Sequence, residues 1–276
     1  MSTVAKETST ETLTLGTTKM VAEIADGIGW VTFNNPERLN AISMEMTEAI
    51  PVIFDRMQQD DAVRVVVLKG AGDRAFVSGA DISEFEKNRS SADVRKRYDE
   101  QSKIAAQAMI ALDKPMIAMV NGYCIGGGLM MALRADMRIA AEGSQFGIPA
   151  ARLGLGYGYA GVIGLVNLVG PAYANEILFT ARRFQSDEAL RIGLINRVVA
   201  KEALEDTVRE IASTIAGNAP LTIRAAKYAI RQTLKDESER DMNQIAALVE
   251  ACFQSEDYIE GRRAFMEKRP PQFRGE

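Results

Sequence analysis

The sequence predicts an α/β fold with a helical C-terminal region, and three observations carry that prediction. Residues 63–68, apolar apart from Arg64, and 116–120 are runs rich in Val, Ile and Met, of the kind found in strands buried on both faces. Each run leads into a glycine-rich loop and then a helical pattern, the strand–helix alternation of α/β proteins. From about residue 160 onward the pattern is mostly helical.

The elements follow in order. Residues 1–18 are rich in Ser and Thr, with no apolar run of signal-peptide length, and are expected to form a mobile tail. A core over 19–205 and a helical region over 206–276 follow. Residues 21–25 and 28–33 form a hairpin, because Asp26-Gly27 suits a two-residue turn with positive φ. Asn34-Asn35-Pro36 stops the second strand. Ser43 caps a helix over 44–58, which Asp60-Asp61 ends. Strand 63–68 leads to a loop over 70–81 and a helix over 91–112. Strand 116–120 leads to a loop over 121–128 and a helix over 129–134. Residues 137–140 and 195–199 are further strands. Gly217-Asn218-Ala219-Pro220 separates two C-terminal helices, and 236–241 begins another.

Composition removes several kinds of chemistry. The 276 residues include no histidine, which excludes a Ser-His-Asp triad, a Cys-His dyad and HExxH zinc. Cys124 and Cys252 stand alone with no CxxC, so no metal site is expected and a reduced, cytoplasmic setting is. Thirty-three Lys and Arg against 37 Asp and Glu give a net charge of −4, without the positive field of a nucleic-acid binder. No stretch of 18 uncharged apolar residues points to a membrane span.

Two loops share one logic, 77–82 (Val-Ser-Gly-Ala-Asp-Ile) and 122–128, which ends in three glycines and enters a helix. Glycines let a ligand approach the backbone. A helix start presents free N–H groups. Two N–H groups converging on one oxygen would make an oxyanion hole; tight helix–strand packing explains the glycines equally well. Residues 156–161 match GxGxxG, but 148–152 make a poor strand, so the dinucleotide-binding reading fails.

Taken together, Asn35 to Ala41, Ala75 to Ile82, Lys114 to Tyr123, Gly126 to Gly128, Asp136 to Ala140, Phe146 to Pro149, Leu153 to Leu155, Gly193 to Ile195 and Phe265 to Arg269 resemble the enoyl-CoA hydratase/isomerase (crotonase) family, in order, over about residues 20–273. The resemblance implies a crotonase-like spiral of ββα units and a helical C-terminal trimerisation region, as a homotrimer or a dimer of trimers. It implies an acyl-CoA thioester substrate, with coenzyme A present as part of the substrate and no tightly bound cofactor. Ala80 and Gly127 would hold the thioester oxygen, each N–H contributing roughly 3 to 4 kcal/mol to an enolate. Arg38, Ala80, Asp81 and Ile82, with Phe265 and Lys268 of a neighbouring subunit, would bind the coenzyme A portion; Arg38 and Lys268 are equally explained as surface charges.

The chain departs from the family where hydratases add water. Their two glutamates, one two residues after the triple glycine and one after Phe-Gly-x-Pro, are here Met130 and Ala150. Neither side chain exchanges protons, so two-glutamate hydration is not expected. Tyr157 falls where the family's methylmalonyl-CoA decarboxylases place a tyrosine, and loss of CO₂ makes an enolate without a carboxylate base. Those decarboxylases, however, carry a histidine at the Ala80 position and a glutamate at the Met130 position. As an aromatic wall of the acyl pocket Tyr157 is equally explained. Asp136 is expected to be structural, and Glu84, Glu142 and Arg152 to be surface charges. Three readings stay open: a hydratase/isomerase-family enzyme with another proton route, a malonyl-type decarboxylase using Tyr157, and a non-catalytic acyl-CoA binder.

Overall fold

The computed structural model describes residues 10–81 and 92–276. Glu11–Thr12 form a short strand, β1, pairing with Ile24 and Glu23 of β2 (Met20–Ala25). The tail expected to reach residue 18 is therefore shorter: Thr17 Oγ1 also donates to Glu45 at 2.8 Å, and the remainder, residues 1–9, lies outside the described residues. Asp26 and Gly27, at φ 54° and 79°, close the expected hairpin to β3 (Ile28–Phe33). Ser43 caps α1 (Met44–Gln59), its hydroxyl accepting from the Met46 N–H.

The chain then repeats one step. A strand enters a large sheet, a short strand enters a small one, and a helix returns. The steps are β4 (Val65–Gly70), β5 (Ala75–Val77) and α2 (Ala92–Ala111); β6 (Met116–Val120), β7 (Tyr123–Ile125) and α3 (Gly127–Ala132); and β8 (Met137–Ala141), β9 (Gln145–Gly147) and α4 (Tyr159–Thr180). Next come β10 (Phe184–Gln185), α5 (Ser186–Arg191), β11 (Arg197–Val199), α6 (Leu204–Ala216), α7 (Pro220–Thr233), α8 (Met242–Gln254) and α9 (Glu256–Glu267). The large sheet runs β1-β2-β3-β4-β6-β8-β11, parallel from β3 onward; the small sheet runs β10-β9-β7-β5, parallel from β9 to β5.

The apolar runs are explained by a sheet covered on both faces. Ile28, Val65, Val67, Ile117 and Met119 face Leu204, Val208 and Ala212 of α6. The alternate residues Val31, Phe33, Val66, Leu68, Ala118 and Val120 face the main core with α1 and α2. Helix α6 thus belongs to the sheet layer, and the separate helical region consists of α7 to α9. Trp30 packs beneath α6, with Arg209 over its ring at 4.8 Å and Lys69 at 5.2 Å.

Several elements begin elsewhere than the sequence expectation puts them: the strand expected over 195–199 is β11, from Arg197, and 236–241 holds a 3-10 turn over Glu237–Glu239 before α8. β4 begins at Val65 rather than 63, because Val63 turns back onto Asp60. Helix α3 begins at Gly127 rather than 129, so two of the three glycines are helical. Helix α4 is long and apolar enough to cross a membrane by length and composition. Gly170, at φ 72° and ψ 168°, with Pro171 breaks it into two halves, each about half the ~20 residues a span requires.

Candidate active site

Strands β5, β7 and β9 are parallel neighbours, so their C-terminal ends lie side by side on one edge of the small sheet. That edge carries Gly79 to Asp81, Gly126 to Gly128, and Ile148 to Ala150. Ile42 forms a parallel bridge with Ala80: its N–H donates to Gly79 O at 2.8 Å, and its carbonyl accepts from Asp81 N at 2.9 Å. A parallel bridge uses the neighbours' groups and leaves the bridged residue's own N–H directed the other way. The Ala80 N–H therefore points away from Ile42. Gly127 opens α3, so its N–H has no acceptor within the helix. Among the described residues no carbonyl accepts from either N–H.

The three glycines have three different reasons. Gly126 sits at φ 54° and ψ −118°, where a side chain is strained. A Cβ on Gly128 would lie 2.0 Å from Val77 O, so the close approach of α3 to β5 requires glycine there. Gly127 has neither constraint. A Cβ there would meet Ala80 N at 3.6 Å and Gly79 at 3.7 and 3.8 Å, ordinary contact distances. A methyl at Gly127 would thus just fit, in contact with Ala80 N, so the side of Gly127 that a side chain would take lies against the other free N–H. Two N–H groups lying together are what an oxyanion requires.

Asn40 holds this arrangement from behind. It is buried at φ 55°, its Nδ2 donates to Ala71 O (2.9 Å) and Ala75 O (2.8 Å), and its Oδ1 accepts from Asn35 N (2.9 Å). Leu39 O accepts from Ser78 N at 3.1 Å, and Arg38 O from Ser78 Oγ at 3.4 Å. Sequence reasoning gave Asn40 no separate role. Its left-handed φ and its buried amide leave only the turn segment 34–36 as a signal.

The nearby positions are apolar. Met130 lies on α3, partly buried, and Ala150 is buried in the turn over Pro149–Leu153. Tyr157 packs against the same apolar cluster as both. Its ring lies along the first turn of α4, 3.1 Å from where a Gly161 Cβ would stand. Residues 149–153 form a 3-10 turn rather than a strand, which removes the dinucleotide fingerprint. Cys124 is fully buried and burial pushes its thiol up, so it stays protonated.

Arg38 is exposed in the turn Pro36–Arg38, with its backbone beside the Ser78 to Asp81 loop. Ile82 and Glu84 lie outside the described residues. Phe265 and Lys268 sit at the end of α9. Phe265 borders an apolar groove of about 730 Å³ with Ala225, Val249, Phe253, Tyr258 and Phe273. Asp136 is structural: its Oδ2 accepts from Met116 N at 2.8 Å and from buried Lys227 at 2.7 Å. Arg152 and Glu142 are exposed. The described residues hold no cluster of three His, Cys, Asp or Glu suited to a metal ion.

Residues 23–276 match the family model for enoyl-CoA hydratase/isomerase. The chain is 36% identical over 250 residues to a short-chain-enoyl-CoA hydratase of Clostridium acetobutylicum, covering 91% of this chain and 95% of that protein. It is 37% identical over 250 residues to a carnitinyl-CoA dehydratase of Citrobacter koseri, covering 89% and 94%. A crystal structure of a putative enoyl-CoA hydratase/isomerase family protein from Hyphomonas neptunium superposes with a TM-score of 0.88 at 36% identity, covering 92% and 97%. The ββα steps, the free N–H pair at the edge of the small sheet and these likenesses agree: the chain belongs to the enoyl-CoA hydratase/isomerase family.

Proposed function

We propose that this protein is an acyl-CoA enzyme that stabilises a thioester enolate and does not use the two-glutamate route to add water. The Ala80 and Gly127 N–H groups hold the thioester oxygen, and charge developing on it strengthens both hydrogen bonds. One observation carries the reading: two N–H groups with no backbone acceptor among the described residues lie close together, and the nearby positions Met130 and Ala150 are apolar. A site that stabilises an enolate without a carboxylate base is suited to forming it by bond cleavage. Coenzyme A enters with the substrate. In an assembled trimer or dimer of trimers, Phe265 and Lys268 of a neighbour complete its binding with Arg38, Asp81 and Ile82.

A second reading is decarboxylation of a malonyl-type thioester. The Cα–carboxylate bond breaks, CO₂ leaves, the electron pair enters the enolate, and a proton then reaches Cα. The position of Tyr157 in the sequence, where the resemblance places a decarboxylase tyrosine, favours it. The phenol would stand near the leaving carboxylate.

Mass spectrometry of the purified protein with crotonyl-CoA, methylmalonyl-CoA and longer acyl-CoAs, with binding titrations alongside, tests the set. Loss of CO₂ supports the decarboxylase. Brisk gain of water on crotonyl-CoA overturns the reading of Met130 and Ala150. Tight binding with no product across the panel marks a non-catalytic binder.

A further inference from the structure

Helix α9 ends in a return. Lys268 caps it in the left-handed region, at φ 53° and ψ 42°, a conformation disfavoured for any residue with a Cβ. Arg269 then folds back onto the helix, its Nη1 and Nη2 donating to the two oxygens of Glu260 at 2.6 and 2.9 Å. Pro270 and Pro271 keep the next residues extended. The Gln272 N–H donates to Glu260 Oε1 at 3.0 Å, and the Phe273 ring lies over Gly261, where a Cβ would meet it at 3.4 and 3.6 Å. The Arg274 and Gly275 N–H groups donate to the two oxygens of buried Asp257, at 2.7 and 2.8 Å. Asp257, Glu260 and Gly261 stand at i, i+3 and i+4, on one face of α9. Residues 269–275 therefore run back along that face.

The return is close to taut. Asp257 and Lys268 are about 16 Å apart along the helix axis, and the six steps from Lys268 to Arg274 reach about 20 Å when extended. Its far end is tied to the rest of the protomer. The Arg274 carbonyl accepts from Arg64 Nη2 at 2.8 Å. Gly275, at φ 90°, lies so close to Pro220 that a Cβ would stand 2.9 Å from the ring. Arg64 leads into β4, its own N–H donating to Gly27 O at 2.7 Å, and Pro220 opens α7.

Ending a helix does not require this. The Arg269 N–H donates to Ala264 O at 3.1 Å and the Lys268 N–H to Phe265 O at 3.3 Å, which already closes the last turn. Packing does little for the end of α9 either, since Phe265 is 85% exposed. The strap supplies what packing does not: it holds Lys268 in its strained conformation and fixes the helix end against β4 and α7. A cation beside an aromatic ring suits the phosphates and the base of a nucleotide better than a pantetheine arm.

Resting on the acyl-CoA reading above, in which Phe265 and Lys268 complete a neighbour's coenzyme A site, we propose that residues 269–275 are a strap that aims the end of α9 at the nucleotide of that coenzyme A. Asp257 and Glu260 are positioning residues. They act through Phe265 and Lys268 and touch no substrate.

Calorimetric titration of the intact protein with acetoacetyl-CoA and with acetoacetyl-pantetheine, which lacks the nucleotide, tests the proposal. Wild type is expected to prefer the coenzyme A ester by about 10- to 100-fold, the range for charge-assisted contacts. Asp257→Asn is expected to remove most of that preference and Arg64→Met about threefold of it, with affinity for the pantetheine ester unchanged. Weakening of both esters together is what a merely structural role gives, and it overturns the proposal. So does an unchanged preference in Asp257→Asn or, should that variant not fold, in Arg64→Met, whose side chain holds only the outer end of the strap. Lys268→Met separates the layers. A preference that survives it sinks the nucleotide contact on which the strap depends, and failure of wild type to bind either ester sinks the acyl-CoA reading itself.

Discussion

Gly127→Ala separates catalysis from folding in a single methyl group. The added Cβ would sit 3.6 Å from Ala80 N and no closer than 3.7 Å to Gly79, so it clashes with nothing in the protein. Gly127 lies in α3 outside the left-handed region, and replacing glycine by alanine in a helix is favourable by up to about 1 kcal/mol. For a chain of this size that is a rise in Tm of about 1 to 4 °C. A thioester oxygen, however, must come within about 2.7 to 3.1 Å of both N–H groups, and the methyl would occupy that approach. Loss of the hole costs about 100- to 1,000-fold in kcat. The variant should therefore be at least as stable as wild type and nearly inactive. Thermal unfolding gives the first quantity. The second can be read before the reaction is identified, from the ultraviolet enolate band of bound acetoacetyl-CoA, which should disappear. Gly128→Ala is the control: its Cβ would lie 2.0 Å from Val77 O, and the fold itself should suffer. A Gly127→Ala protein that keeps the enolate band, or melts as low as Gly128→Ala, would refute the argument.

Further outcomes follow from the same geometry. Tyr157→Phe should lower decarboxylation by about 100-fold or more while leaving acyl-CoA affinity within a few-fold, since a phenol acting on the leaving group contributes to the transition state; unchanged turnover would reduce Tyr157 to a pocket wall. Met130→Glu with Ala150→Glu should bring measurable water addition to crotonyl-CoA, read as a mass gain of one water, if the rest of the pocket is hydratase-like. Asn40→Ala strands a buried N–H and two carbonyls and puts alanine at positive φ, so denaturant unfolding should show a loss of about 3 to 5 kcal/mol. The Arg269 fork at 2.6 and 2.9 Å, with the Gln272 N–H, holds the Glu260 carboxyl down to about 2. A depressed carboxyl stabilises above its unfolded pKa near 4.5 and loses that contribution as pH falls toward 2. Limited proteolysis of residues 270–276 should therefore quicken over that window in wild type, and Glu260→Gln should be cut at the acid rate already at pH 6.

What could be read from the sequence followed the length and burial of each element. β6 and the hairpin were legible because a two-sided apolar run and an Asp-Gly turn are strong local signals. The strands of the small sheet were not: β5, β7 and β9 are three residues each, embedded between glycines, and pair only because distant steps of the chain meet. That sheet is what gathers the site, so Ala80 and Gly127 were reachable only as members of glycine loops and through family resemblance. Asn40 went unassigned because it carries no local pattern and acquires meaning only from its three backbone partners.

The placement of Trp30 has an optical consequence. It is the chain's single tryptophan, held in β3 beneath α6 between two cations. Its emission therefore comes from one location, on the face of the large sheet away from the small-sheet edge where substrate would sit. Undocking of α6 would release the indole to water and from its quenching neighbours, shifting the spectrum to the red. Intrinsic fluorescence then reports the integrity of the scaffold and stays nearly silent to ligand, so a titration of this protein with acyl-CoA needs calorimetry or an absorbance signal instead.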